Sequence, residues 1–231
     1  MNFTEWEPVY QAILADFGFD RAADERARDL LAASFADAEP CDLGRLDTAG
    51  ATVAVAGGAP SLEAESERAA GADLVVAASD AADRLVGIGV EVDCMVTDLD
   101  KAPGTAVELA ATGTPVLAHA HGDNVPAVRE YGPRLAGTAA VPTTQAAPAG
   151  PVRNFGGFTD GDRAAFLADA LGADRLVFPG WNFDDPSVDP LKRRKLAWAE
   201  RLLAWLERRR GETFGVLDGR RADVDTSGFP G

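Results

Sequence analysis

Apolar residues at the amino end fall three or four positions apart: Trp6, Val9, Tyr10, Ile13, Leu14 and Phe17, then Leu30, Leu31 and Phe35. That spacing predicts helices with one buried stripe, read as a helical amino-terminal cap over residues 1–45. From residue 46 the pattern changes to short runs rich in Val and Ala. Ala51–Ala56, Leu74–Ala78, Val92–Val96 and a run beginning at Pro115–Ala118 read as strands, with helices at Leu62–Ala70, Asp80–Leu85 and Ala106–Ala111 between them. Continuous apolar runs alternating with helices favour βαβ units and a parallel sheet covered on both faces.

Beyond Gly137 the pattern is blurred by Ala, Thr and Pro. A strand is expected at Thr138–Val141, loop at Gln145–Pro151, a helix at Arg163–Leu171, a strand at Arg175–Phe178, a long amphipathic helix at Pro190–Arg210 and a last strand at Thr213–Leu217, followed by a polar tail after Gly219. The expectation is an α/β protein: a Rossmann-like, mostly parallel sheet flanked by helices, with the cap over 1–45 and one catalytic domain over 46–231. A chain of 231 residues, 46% hydrophobic, can bury one sizeable core. No apolar run approaches the roughly 20 residues that span a bilayer, and the amino end lacks the basic and apolar regions of a signal peptide, so a cytoplasmic location is expected.

Charge narrows the partners. The formal net charge of −15 opposes nucleic-acid backbone binding, which needs a basic face. It leaves small molecules as partners, with no membrane and an open question of self-association. Asp and Glu together number 37 and Lys and Arg 22, only three of them Lys, a bias that resembles proteins of salt-loving archaea. Cys41 and Cys94 are far apart and form no metal-binding pair; Cys94 reads as a buried thiol.

Chemistry gathers where the strand-like runs end. Gly57-Gly58-Ala59-Pro60-Ser61 joins a strand to a helix, a turn that can aim backbone N–H groups at phosphate, or simply make a tight connection. Ser79-Asp80 follows the second run and Thr97-Asp98-Leu99-Asp100 the third. If the backbone stays extended there, Asp98 and Asp100 point to one side and can share a divalent cation. His119-Ala120-His121-Gly122-Asp123-Asn124 holds both histidines of the chain, suited to positioning a phosphate or to a structural hydrogen bond more than to metal, with Asp123 the better candidate for metal or substrate contact. Thr159-Asp160-Gly161-Asp162 opens a helix, where Asp is a common cap but also a further pair of oxygen ligands. Lys192 and Lys195, nearly one helical turn apart in a chain that avoids Lys, suggest a need to hold polyphosphate, and Trp181-Asn182 suits a flat heterocycle or packs the rim.

In order along the chain, Ala59–Leu62, Thr97–Asp100, His119–Asn124 and Gly157–Ala164 carry motifs that resemble the archaeal 6-hydroxymethyl-7,8-dihydropterin pyrophosphokinase family, related to the thiamin pyrophosphokinase catalytic domain. The likeness runs from about Thr52 to Lys195; Ala59 stands where the family usually has Gly, as does Lys101. The resemblance implies transfer of diphosphate from ATP, with Mg²⁺, to a reduced hydroxymethylpterin, releasing AMP, in tetrahydromethanopterin or folate biosynthesis. In that scheme Asp98, Asp100, Asp160 and Asp162 hold metal, and Asp98, Asp100 and Asp123 are catalytic. Gly57, Gly58, Ser61, Asp80, Asn124, Thr159, Lys192 and Lys195 meet the nucleotide, while His119, His121, Trp181 and Asn182 meet the pterin. Two alternatives stay open on the residues alone: a phosphohydrolase of the haloacid-dehalogenase type with Asp98 as nucleophile, and a non-catalytic nucleotide-binding module.

Overall fold

The computed structural model describes residues 1–230. Six parallel strands, β1 (Thr52–Ala56), β2 (Leu74–Ala78), β3 (Cys94–Thr97), β4 (Val116–Ala120), β5 (Ala140–Thr144) and β6 (Arg175–Val177), lie in the order β5-β4-β3-β2-β1-β6. The chain therefore steps outward from β1 to β5 and then returns across the sheet to place β6 on the other side of β1. The order reverses between β1 and β6, and such a reversal opens a crevice at the carboxyl edge of a parallel sheet.

Alternation along β1 shows why both faces are covered. Val53 and Val55 enter a layer rich in large aromatics, Trp6, Phe166, Trp205 and Phe214 among them, built by α1 (Phe3–Phe17), α7 (Asp160–Ala170), α8 (Pro190–Arg210) and the segment that follows α8. Ala54 and Ala56 face a layer of small side chains and leucines from α2 (Arg21–Ser34), α3 (Ser66–Ala70), α4 (Asp80–Gly87), α5 (Pro103–Thr112) and α6 (Val125–Leu135). The two amino-terminal helices are thus split between the layers, α1 on the aromatic side and α2 against β4, β5 and α6. Helix α8 has the ends its sequence specifies: Asp189 caps it, Pro190 opens it, and Gly211 closes it in the left-handed region.

Several elements differ from the sequence expectation. Thr213–Leu217 is no strand; it holds a single 3₁₀ turn at Gly215–Leu217, because the Phe214 N–H is taken by the Glu207 carboxylate and the Phe214 and Leu217 side chains turn into the core. Leu62–Ala70 is a 3₁₀ turn (Glu63–Glu65) followed by the five-residue α3. Helix α6 escapes the periodic reading, being broken in sequence by Pro126 and Pro133, the first at its start where proline is tolerated. Strand β5 carries Pro142, which is accommodated at the sheet edge. The polar tail folds back, with Phe229 stacked on Trp198 and the Pro230 carbonyl accepting from Trp205 Nε1. Cys94 is buried and Cys41 partly exposed, both as free thiols, and no described helix is long and apolar enough to cross a membrane.

Candidate active site

All six strands end at one cavity of about 620 Å³, within the usual range for a small-molecule site. Gly57, Gly58 and Ala59 line it from the end of β1, Ser79 and Asp80 from β2, Asp98 and Asp100 from β3, and His121 and Asp123 from β4. Gln145 enters from β5 and Gly180, Trp181 and Asn182 from β6. The start of α7 adds Thr159, Asp160 and Arg163, and α8 adds Lys192 and Lys195. The corner between α1 and α2 closes one end with Phe19, Asp20, Ala23 and Asp24.

At the centre, one carboxylate oxygen each from Asp98, Asp100 and Asp160 lie within 4.8 Å of one another, the one such group of potential ligands among the described residues. The backbone at β3 is not extended as expected. The strand stops at Thr97, Leu99 takes a left-handed φ of 66°, its N–H donates to Thr97 Oγ1, and the Asp100 N–H donates to Asp98 Oδ1. This Asx-type turn brings the two carboxylates together. A left-handed non-glycine residue costs roughly 1–2 kcal/mol, and burying the Leu99 side chain, 2% exposed, offsets it by roughly 1.5–3 kcal/mol.

Three carboxylates so placed cannot all ionise freely. Although burial works in the other direction, hydrogen bonds from His121 and from Asp100 hold Asp98 below the usual carboxylate range. Asp100 is open to the cavity, yet the protein around it and the neighbouring Asp98 charge push it up to about 6. Burial, then Asp98, push Asp160 up to about 7, against the pull of Arg163, whose guanidinium donates to it at 2.9 Å. His121 Nε2 stands 3.5 Å from Asp98, and its Nδ1 accepts from the Asp123 N–H, which identifies Nε2 as the protonated nitrogen.

Asp162 does not join the group. It is fully buried, and its carboxylate accepts from the N–H groups of Phe158 and Thr159 and from the Thr159 hydroxyl, so both oxygens cap α7 instead of facing the cavity. Three other expectations are also corrected. His119 is buried away from the cavity, its Nδ1 paired with Thr143 Oγ1, and burial holds it neutral, well below the ordinary histidine value. Asn124, also buried, accepts from the His121 N–H and donates to the carbonyls of Asp98 and His119, tying the β3 and β4 ends together instead of meeting a ligand. Ser61 lies outside the cavity lining, and the N–H groups of Gly57 and Ala59 are already bonded to the carbonyls of Pro179 and Gly180.

The glycine turn instead serves close approach at the β1/β6 reversal. A Cβ on Gly57 would stand 2.6 Å from the Gly180 carbonyl oxygen, and Trp181 Nε1 donates across the same junction to the Val55 carbonyl. Arg84 clamps the turn from beneath, donating to the carbonyls of Gly58 and Ala59 while paired with Glu63. Asp80 is paired with Lys101 at 3.6 Å, and Lys195 lies over the Phe158 ring, beside the start of α7. Arg84, Arg163, Gln145 and Asp24 had no place in the sequence reading. Arg163, three positions after Asp160 on a helix, carried a spacing signal; a buried Asp on the polar-looking α2 carried none.

The sequence profile of the family described as 6-hydroxymethylpterin diphosphokinase MptE-like matches residues 33–187. The chain is 40% identical over 225 residues to a protein of Methanothermobacter thermautotrophicus named 6-hydroxymethyl-7,8-dihydropterin pyrophosphokinase, covering 90% of this chain and 96% of that one. Proteins of the same name from Pyrococcus furiosus and Methanocaldococcus jannaschii are 35% and 29% identical, each over 90% of this chain and 95% and 96% of their own length.

Proposed function

The chain belongs to the 6-hydroxymethylpterin diphosphokinase MptE-like family, and on that premise we propose that it transfers diphosphate from ATP to the hydroxymethyl group of 6-hydroxymethyl-7,8-dihydropterin, releasing AMP. The observation that supports this reading best is the convergence of Asp98, Asp100 and Asp160 in a cavity that Lys192 and Lys195 also line. Three hard oxygen donors, two of them raised in pKa by burial and then by their charged neighbours, fit a divalent cation such as Mg²⁺, which prefers carboxylates shared with phosphate oxygens. Bound there, Mg²⁺ would neutralise charge on the triphosphate.

In this reading Lys192 and Lys195 hold the triphosphate, and Gly57, Gly58, Asp80 and Thr159 line the cavity around the nucleotide. The pterin hydroxyl oxygen attacks the β-phosphorus; the new bond is C–O–P, the bond broken joins the β-phosphorus to the α,β-bridging oxygen, and the electron pair leaves on AMP. Asp123, exposed at the cavity rim, accepts the hydroxyl proton. His121 keeps Asp98 oriented, and the Trp181 ring, with Asn182 beside it, gives a flat heterocycle a wall. Transfers of this kind depend on positioning and charge compensation more than on covalent chemistry. The product would enter tetrahydromethanopterin or folate assembly. Neither the phosphohydrolase nor the non-catalytic alternative has an observation in its favour.

Mass spectrometry of products after incubation with ATP, Mg²⁺ and a panel of hydroxymethyl heterocycles, thiamin included, tests the proposal. Pterin diphosphate and AMP in equal amounts are expected. ADP with a pterin monophosphate, or phosphate release alone, would overturn it.

A further inference from the structure

A ring of contacts joins Asp98 to Asp160 by way of Asp24 on the second amino-terminal helix: its links are hydrogen bonds, except for the His121-Gly122 peptide and the close approach of the two carboxylates themselves. Asp24 of α2 is 3% exposed, and a carboxylate so buried is costly unless every oxygen is satisfied. It accepts from the Tyr10 hydroxyl at 2.7 Å, from Gln145 Nε2 at 2.8 Å and from the Gly122 N–H at 2.7 Å. Two arms leave it. One runs through Gly122 to the adjacent His121, and so to Asp98. The other runs through Gln145, whose Oε1 accepts from Arg163 at 3.1 Å, and on through the same guanidinium to Asp160 at 2.9 Å. The arms end on two of the three carboxylates that converge within 4.8 Å.

Resting on the metal reading above, we propose that Asp24 and Arg163 are positioning residues that set the spacing of Asp98 and Asp160, so that the amino-terminal helices are part of the cation site. Arg163 is almost wholly buried and its Nε has no partner, an arrangement that stability alone would not favour. The polarity of the ring is also directional. Asp24 can only accept, which turns the Gln145 amide nitrogen toward it and leaves the amide oxygen for Arg163. In Asp24→Asn the new amide can turn Gln145 over, setting its NH₂ against the guanidinium and releasing Asp160.

Calorimetric titration of the nucleotide-free protein with Mn²⁺, alongside thermal melts and steady-state kinetics, tests this. Asp24→Asn and Arg163→Lys are each expected to weaken Mn²⁺ at least tenfold and to lower kcat, with KM for the pterin changed less than twofold. The double variant should be no weaker than the worse single one, since both cut the same ring. A folded Asp24→Asn with Mn²⁺ affinity within twofold of wild type, or single effects that multiply, would overturn the inference. Gln145→Leu severs the same link without altering Asp24 and carries the same expected and overturning results should Asp24→Asn fail to fold. Absence of Mn²⁺ binding by the wild-type protein would remove the cation site itself, and with it this inference; unchanged affinity in the variants removes the inference alone.

Discussion

Thr97-Asp98-Leu99-Asp100 and Thr159-Asp160-Gly161-Asp162 have the same residue pattern, and they meet at the same cavity, yet they deliver different numbers of carboxylates to it. After β3 the chain turns through a left-handed Leu99, and both aspartates reach the three-carboxylate cluster. At the start of α7 the backbone is helical, so residues two apart diverge by about 200° around the axis. Asp160 faces the cavity, and Asp162 turns back to hold the Phe158–Thr159 backbone. Identical spacing is thus read by different backbones: one motif gives the cluster two carboxylates, the other gives it one carboxylate and keeps the second as a cap.

The comparison can be broken by asparagine substitution in each motif. Asp98→Asn, Asp100→Asn and Asp160→Asn should each lower kcat by about 10²–10³-fold or more, as for removal of a group that stabilises transition-state charge, measured as AMP release from ATP and reduced pterin. Asp162→Asn should instead cost about 1–3 kcal/mol of stability through an imperfectly satisfied cap, read by chemical denaturation, with activity of the folded fraction within about threefold. An Asp162→Asn enzyme as inactive as Asp98→Asn, yet stable, would erase the distinction.

Removing positive charge from the α8 side of the cavity should have a smaller effect. Lys192→Ala and Lys195→Ala are expected to raise KM for ATP by about tenfold each, in keeping with partly exposed charge-assisted contacts worth about 1–1.5 kcal/mol. A kcat loss as large as that of Asp98→Asn, with KM unchanged, would move these residues from binding to chemistry.

The smallest effect concerns pH. Asp100 and Asp160 retain protons in the folded state up to about 6 and about 7, against an ordinary 3.8. The folded state then binds more protons than the unfolded one, so their favourable contribution is complete below pH 3.8 and is lost as pH rises through 6 to 7. Asp98, held low, has the opposite sign and matters only as the pH falls below the ordinary carboxylate range. With chelator present, the melting temperature should drop by a few degrees between pH 5 and 7.5, and Mg²⁺ should restore more at pH 7.5 than at pH 5. A melting curve that rises over that interval would contradict the crowding of the three carboxylates.

The strands were legible because a sheet covered on both faces requires unbroken apolar runs, and Leu74–Ala78 shows the pattern in its plainest form. Helix α8 was equally plain, since Asp189, Pro190 and Gly211 mark its ends. Elements escaped where a local rule was overridden. Prolines disguised α6, and the Glu207 carboxylate took the N–H that a strand at Phe214 would have needed. In the site, clusters at strand ends were visible because parallel strands share one carboxyl edge. The burial of His119 and Asn124 was not, because a polar side chain pointing inward looks the same in sequence as one pointing out.

Composition and apolar spacing by themselves settled the α/β layering, the edge of the sheet that carries the chemistry and the acidic character of that edge, since these depend on near neighbours in the chain. Which aspartates converge on one cluster, and that Asp24 and Arg163 stand behind them, was decided only by tertiary structure. Those contacts join residues up to 121 positions apart, and their geometry depends on backbone turns and packing that no local pattern encodes.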